Sequence, residues 1–428
     1  MSKADLDRLQ YYSRKVKLIC IDLDDPQVHP STYVRIAQLL PSALFPSLRH
    51  LKHDLGDNSI SNIFLFLSPL LHTLELTNIE GFENTIVGPF LDTLSSSPQM
   101  LRRIFLHNGQ MSVDILKKSI VHFKQLRYLD FTAVLCMSDF VLWEVLGSSP
   151  SLANLIVEAI DPASHPAHAP ENSNCQSENL KYFEALESLC VTGSFFFIQH
   201  LLGFIDSPRL RSIDVYPVIN NVNEDDQLPD NLLTSSVTIV GSKWSQSLKS
   251  VVIDSSSSGT AHPYAIPRCL TLLTDFHEIR TLTVEGWKME NMDDDLRRLV
   301  KSWPKIRSLN LDQALISLST LRIVAENCPK LRHLEIRLDT STIPPFNTSS
   351  KSLGHKLEFL SLALEGVLSS NTQMPLECQL EIQIARHLDL IFPHLRFIHV
   401  QWHPSGINVS RTGICDLIKL YQNVRRGQ

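Results

Sequence analysis

The 428-residue chain is poor in glycine, with fifteen against the roughly thirty that a usual share of about 7% would give. Tight phosphate-cradling loops are correspondingly not expected. Its eight cysteines (Cys20, Cys136, Cys175, Cys190, Cys269, Cys328, Cys378, Cys415) are scattered, with no Cys-x-x-Cys pair, and no secretory leader is read at the N-terminus. Reduced thiols in cytosol or nucleus are the expectation, which leaves the sequons at Asn347 and Asn408 unused. There is no excess of positive charge: the formal charge is −6 and the pI about 6.3, which argues against a broad nucleic-acid or anionic-membrane surface. The most apolar run, residues 195–205, is half the roughly 20 residues that a spanning helix needs, and Gln199 and His200 interrupt it. It reads as a buried helix.

Catalytic signatures are also missing. The sequence holds no Gly-x-Ser-x-Gly elbow, no Gly-x-x-x-x-Gly-Lys-[Ser/Thr] loop, no Gly-x-Gly-x-x-Gly and no His-Glu-x-x-His. His165, His168 and Cys175 lack a fourth ligand at a familiar spacing and lie in a stretch rich in Pro, Ser and Asn. Asp293, Asp294 and Asp295 open an expected helix, where carboxylates favour the positive end of the helix dipole. No enzyme activity, cofactor or resident metal is expected.

What the chain does contain is repetition. The stretch Pro329-Lys330-Leu331-Arg332-His333-Leu334-Glu335-Ile336 has three apolar anchors, the second three residues and the third five residues after the first. The frame recurs with first anchors at Val16, Leu48, Leu71, Leu101, Leu126, Leu152, Leu186, Leu210, Leu248, Ile279, Ile306, Leu331, Leu357 and Leu395. Only the second of these fourteen units has a polar third anchor, His53. The last two anchors are two apart, so in an extended strand they share a face and the residue between them points away. A proline two residues before the first anchor, as at Pro46, Pro150, Pro208, Pro304, Pro329 and Pro393, suits the turn that stops a helix before a strand. Spacings run from 23 (Leu48 to Leu71) to 38 (Leu357 to Leu395) around a base near 25, the pattern of stacked leucine-rich repeats in which neighbours supply each other's core.

The expected fold is therefore α/β, a leucine-rich-repeat solenoid of about fourteen repeats: a curved horseshoe with parallel strands on its concave face and helices on its convex face. Residues 1–15 read as an N-terminal capping helix, 16–408 as the repeat domain and 409–428 as a C-terminal capping helix and tail. Within the repeats, 113–123, 138–147, 292–303, 317–327 and 377–392 carry helical periodicity, with Ser112 and Asn291 as N-caps. Insertions rich in turn formers are expected at 159–180, 217–247, 254–268 and 339–356, the second with a short strand at Val237–Val240. At about 4.8 Å per strand, fourteen strands trace roughly 65 Å, enough for a folded partner. A monomer is expected.

Outward positions flanking the last two anchors include the acids Asp22, Asp54, Glu75, Asp130, Glu158, Asp214, Asp254, Glu285, Asp312 and Glu335. Their Lys and Arg residues are Lys52, Arg103 and Arg337. Ten acids against three bases give −7, so this strip accounts for the whole chain's −6 and the rest is nearly neutral. The expected binding strip, Asp130, Glu158, Asp214, Asp254, Glu285, Asp312 and Glu335, suits a protein partner with a basic segment. Neither nucleic acid nor membrane is an expected partner.

The Pro-x-Leu-Arg-x-Leu form of Pro329–Leu334 and Pro393–Ile398 resembles the repeat half of F-box/leucine-rich-repeat proteins. The opening 6–16 and the stretch 39–51 are similar to versions common in mushroom-forming fungi. The resemblance implies a non-catalytic substrate-binding part of a cullin-RING ubiquitin-ligase receptor. In the family an F-box holds the ligase adaptor, yet no Leu-Pro-x-Glu-Ile-like segment precedes Val16, so the adaptor is expected only through an F-box upstream of Met1. The alternative is a free-standing interaction scaffold, or a decoy without ligase recruitment.

Overall fold

The computed structural model describes residues 3–22, 32, 35–36, 43–56, 60–79, 81, 83–96, 100–109, 113–135, 140–159, 182–218, 228–255, 270–287, 289, 292–341, 343–344, 352–365, 374–402, 409–410 and 412–427. The chain divides into two compact units, Met1–Leu210 and Arg211–Gln428. Both are built on one plan, a short strand, a helix or turn, and a return to the next parallel strand, which is the architecture of an α/β leucine-rich-repeat solenoid.

In unit one, helix α1 (Lys3–Ser13) is followed by β1 (Leu18–Ile21), β2 (His50–Asp54), β3 (Thr73–Thr77), β4 (Arg103–His107), β5 (Tyr128–Leu135), β6 (Asn154–Ala159) and β7 (Ser188–Gly193), which lie in chain order. Between strands run 3-10 turns at Ile60–Phe66, a π turn at Glu83–Val87 leading into α2 (Gly88–Ser95), then α3 (Val113–Ile120), α4 (Phe140–Gly147) and α5 (Phe195–Phe204). Unit two has β8 (Ser212–Pro217), α6 (Leu228–Trp244), β9 (Ser250–Asp254), β10 (Thr281–Glu285), α7 (Asp293–Ser302), β11 (Ser308–Ile316), α8 (Leu318–Asn327), β12 (His333–Asp339), β13 (Phe359–Glu365), α9 (Met374–Ile391), β14 (Phe397–Trp402), β15 (Val409–Ser410) and α10 (Thr412–Gly427). Strands β8 to β14 pair in parallel, and β15 closes antiparallel on β14.

Register follows the anchors. Leu309 pairs with Leu334, Leu334 with Leu360 and Leu360 with Ile398, while Leu311, Ile336, Leu362 and Val400 form the next row. From the second repeat to the thirteenth every anchor is buried, and the three anchors of the first repeat and Ile398 of the last are half-buried. Each buried apolar anchor contributes about 1.5–3 kcal/mol by leaving water, so the first and last repeats are held less firmly than those between them in sequence. Leu18, 64% exposed in β1, stands on the outward face like Phe397 of the last repeat.

The corner before each strand repeats as faithfully. The carbonyl of the residue after the first anchor accepts two amides from the next repeat: Arg307 O takes Arg332 N at 2.8 Å and His333 N at 3.0 Å, and Arg102 O takes Arg127 N and Tyr128 N at 2.8 and 3.0 Å. Hydroxyls cap two helices, Ser194 accepting from Phe197 N and Ser317 from Thr320 N. At the far end of β3 and β4, Asn78 and Asn108 take left-handed φ of 52° and 56°, a conformation asparagine tolerates better than most residues.

The structure corrects three local expectations. Val237–Val240 is not a strand but part of α6, because Leu233, Val237, Val240 and Trp244 recur at helical spacing and are all buried; a short β-branched run reads either way from sequence. Val409–Ser410 begins no helix; it pairs with Trp402 and Gln401, and α10 starts at Thr412. Met292, not Asn291, is the N-cap residue of α7. Ser112, Asn291, Asn347, Asn408 and residues 160–180 lie outside the described residues, with His165, His168 and Cys175 among them.

Candidate functional site: the exposed face of the sheets

On each strand the anchors turn inward and the alternate residues form an outer face, as the buried and half-buried alternation of β8, β9 and β10 shows. The expected site residues are all on that face, on two levels. Asp130, Asp214 and Glu335 stand between the last two anchors of their repeats; Glu158, Asp254, Glu285 and Asp312 stand just beyond the last anchor. In unit two, register places Asp254 beside Glu285, and Thr283 beside Asn310, so Asp312 follows level with Glu285. Glu335 pairs with Asn310 on one side and Ser361 on the other.

Four unit-two carboxylates accept hydrogen bonds from neutral donors, and Arg337 opposes the charge of Asp312 as well. Asn310 Nδ2 donates to Glu285 at 2.6 Å, Gln313 Nε2 to Asp312 at 2.8 Å, Ser361 Oγ to Glu335 at 3.2 Å and Ser212 Oγ to Asp214 at 3.5 Å. Burial, followed by the like charges of Asp254, Asp312 and Glu335, pushes the Glu285 carboxyl above its ordinary range. Burial also raises Asp312 and Asp214. The basic residue expected here, Arg337, donates Nε to the Asp312 carbonyl at 3.1 Å and lies 3.7 Å from Glu365. A row of adjacent carboxylates costs stability through cross-strand repulsion.

In unit one the acids of the same face are largely engaged within the fold. Lys52 Nζ is 2.9 Å from Glu75 Oε1. Asn78 Nδ2 donates to both oxygens of Asp54 at 2.9 and 3.0 Å, and Asn108 Nδ2 donates onward to Asn78 at 3.1 Å. Asp130, 7% exposed, accepts from Thr132 Oγ1 at 2.6 Å and lies 3.4 Å from His107 Nε2. Its carboxylate pushes the His107 imidazole up. Phe105 and Tyr128 pack beside it with ring centroids 4.8 Å apart. Glu158 lies on this face as well, half-buried.

A second charged feature runs through the repeats. The residue after the first anchor, whose carbonyl closes the corner, is Lys or Arg in ten repeats: Lys17, Arg49, Arg102 and Arg127 in unit one, and Arg211, Lys249, Arg280, Arg307, Arg332 and Arg396 in unit two. Net charge does not disclose this column, because an acidic row and a basic one offset each other in it.

Among the described residues no group of three or more His, Cys, Asp or Glu side chains could hold a metal ion, and no helix is long and apolar enough to cross a membrane. No family model matches the chain, and no curated protein matches it. Solved structures with a similar course include an internalin from Listeria monocytogenes (13% identity, TM-score 0.41, covering 92% of each chain). Others are Rad7 in its complex with Elc1 from yeast (14%, 0.38, 88% of this chain and 87% of that one) and the leucine-rich repeat-containing protein LegL7 from Legionella pneumophila (11%, 0.29, 95% and 98%). Likeness at this level concerns the fold alone.

Proposed function

We propose that the chain is a non-catalytic protein-recognition module whose outer sheet face in unit two receives a basic segment of another protein, and that it acts as the substrate-binding part of an F-box-type ubiquitin-ligase receptor in cytosol or nucleus. The observation that supports recognition is the row Asp254, Glu285 and Asp312 with Glu335 beside it. Glu285, Asp312 and Glu335 are held in place by neutral donors, and Glu285 is repelled by Asp254, Asp312 and Glu335, a cost that a cationic partner relieves. The ligase role is supported by the Pro-x-Leu-Arg-x-Leu resemblance alone.

The test is affinity purification with mass spectrometry from cells expressing the full-length gene product. Ligase adaptor and a basic target recovered together are the expected result. A target without adaptor makes the protein a free-standing scaffold or decoy. A target whose capture is indifferent to salt and to Asp312→Lys with Glu335→Lys removes the acidic face from the account.

A further inference from the structure

The basic column of unit two has no part in that reading. Arg211, Arg280, Arg307, Arg332 and Arg396 are exposed and Lys249 is half-exposed. Their backbones are fixed by the corner hydrogen bonds: Arg211 O accepts from Lys249 N at 2.8 Å, Lys249 O from Arg280 N at 2.7 Å, Arg280 O from Arg307 N at 2.7 Å and Arg307 O from Arg332 N at 2.8 Å. The side chains therefore repeat at the strand spacing of about 4.8 Å, and Arg211 to Arg332 spans four strand steps, about 19 Å. Among the described residues only Arg332 of these six is in an ion pair, 3.4 Å from Glu358. Nearby, Lys305 pairs with Glu278, whose carboxyl is held below its usual range by Lys305 first and by Arg280 and Lys249 as well. The ion-pair partner of this carboxylate is Lys305, outside the column.

We propose that this basic rim is a second docking surface, and that its occupant is an extended acidic peptide segment of a partner protein. Arginine predominates, and a guanidinium grips a carboxylate through two parallel hydrogen bonds. Next to the column, from β8 to β11, stand Ser212, Ser250, Thr281 and Ser308. Over these four strands the column is flanked by hydroxyl donors without a stacking face, and rings occupy the same register position only from β12 on, at His333, Phe359 and Phe397, whereas single-stranded nucleic acid requires aromatic platforms along its whole path. About six extended residues cover the 19 Å. The rim lies in the corners just before the strands that carry the acidic row, and Arg280 is five residues before Glu285, about 16 Å of extended chain and beyond the Debye length at physiological salt. The two surfaces therefore act separately and select opposite charges.

The experiment uses the whole chain and three fluorescein-labelled probes: an Asp/Glu-rich peptide of about ten residues, an Arg/Lys-rich peptide of equal length, and an oligouridine. Anisotropy is measured at low and physiological salt, and melting curves verify that the variants fold. The acidic peptide should bind, weaken at least about tenfold in Arg280→Gln/Arg307→Gln/Arg332→Gln, and keep its affinity in Asp254→Asn/Glu285→Gln/Asp312→Asn. The rim inference is overturned if the acidic peptide does not bind at low salt, if the arginine variant binds it unchanged, or if oligouridine binds more tightly and is lost in the arginine variant. Failure of the acidic-face reading registers on the basic peptide instead, so each surface stands or falls on its own probe.

Discussion

The outer faces of the two units share a backbone plan and treat their acids differently. In unit one, Lys52 meets Glu75 and His107 lies beside Asp130, so two acids face a basic partner within the fold, while Asp54 is held by the neutral Asn78 amide. In unit two the donors to Glu285, Asp312 and Glu335 are an amide, an amide and a hydroxyl, so orientation is supplied while charge is kept. The difference teaches that a solenoid's strand pattern sets where a side chain points, and the neighbouring repeat decides whether its charge is structural or available.

Four measurements sharpen or break this comparison. The largest effect belongs to neither face: Leu334→Ala, at a fully packed anchor, should cost about 2–5 kcal/mol in denaturant unfolding, whereas Glu335→Ala one position away should cost less than about 0.5 kcal/mol. Equal losses would mean that the strand faces are reversed. Next, Asp130→Ala removes a buried acceptor from Thr132 and the partner of His107, and should cost about 1–3 kcal/mol. A neutral outcome would mean that the unit-one acids are as free as those of unit two.

In unit two the sign inverts. Glu285→Gln keeps an acceptor for Asn310 and removes repulsion, so it should stabilise by up to about 1 kcal/mol at neutral pH. Glu285 and Asp312 have folded-state values raised above their unfolded ones. Their stabilising contribution is fully present below the ordinary carboxylate range and is lost as pH rises through the raised values. In the Glu285→Gln/Asp312→Asn double variant that part of the pH dependence should flatten. Buried His53 and His355 run the other way. Burial lowers both, so the stability they carry is present above about pH 6.5 and is lost as pH falls through the lowered values. The smallest effect is Glu75→Gln, which breaks the exposed pair with Lys52 and should cost about 0.2–1 kcal/mol, less in high salt. A larger loss would show that unit one depends on its surface charges more than its burial implies.

Much of this architecture could be read from residue order, and the reason is physical. Period-two anchors such as Leu334 and Ile336 must be buried for a strand to hold, so pattern and burial coincide. His53 takes an anchor position and is buried there, its Nδ1 2.9 Å from the Asp54 carbonyl, which a polar residue on an apolar frame does not disclose. His355 lay in a stretch read as an insertion, yet it accepts from Leu357 N at 3.0 Å through Nδ1 and reaches the Cys328 carbonyl at 2.8 Å through Nε2. Long-range bonds of that kind leave no local signature. The acids of the face were legible as positions but not as pairs, since whether Asp130 meets His107 depends on the register of β4 against β5. The basic rim was legible in full once the residue after each first anchor was followed from repeat to repeat.

The central claim is that the row of carboxylates on the unit-two face receives a cationic partner. Its most direct test is the affinity of an Arg/Lys-rich peptide for the wild-type chain and for Asp254→Asn/Glu285→Gln/Asp312→Asn, titrated from low to physiological salt. The account predicts binding that weakens with salt and falls at least about tenfold in the variant; equal affinity for both proteins would contradict it.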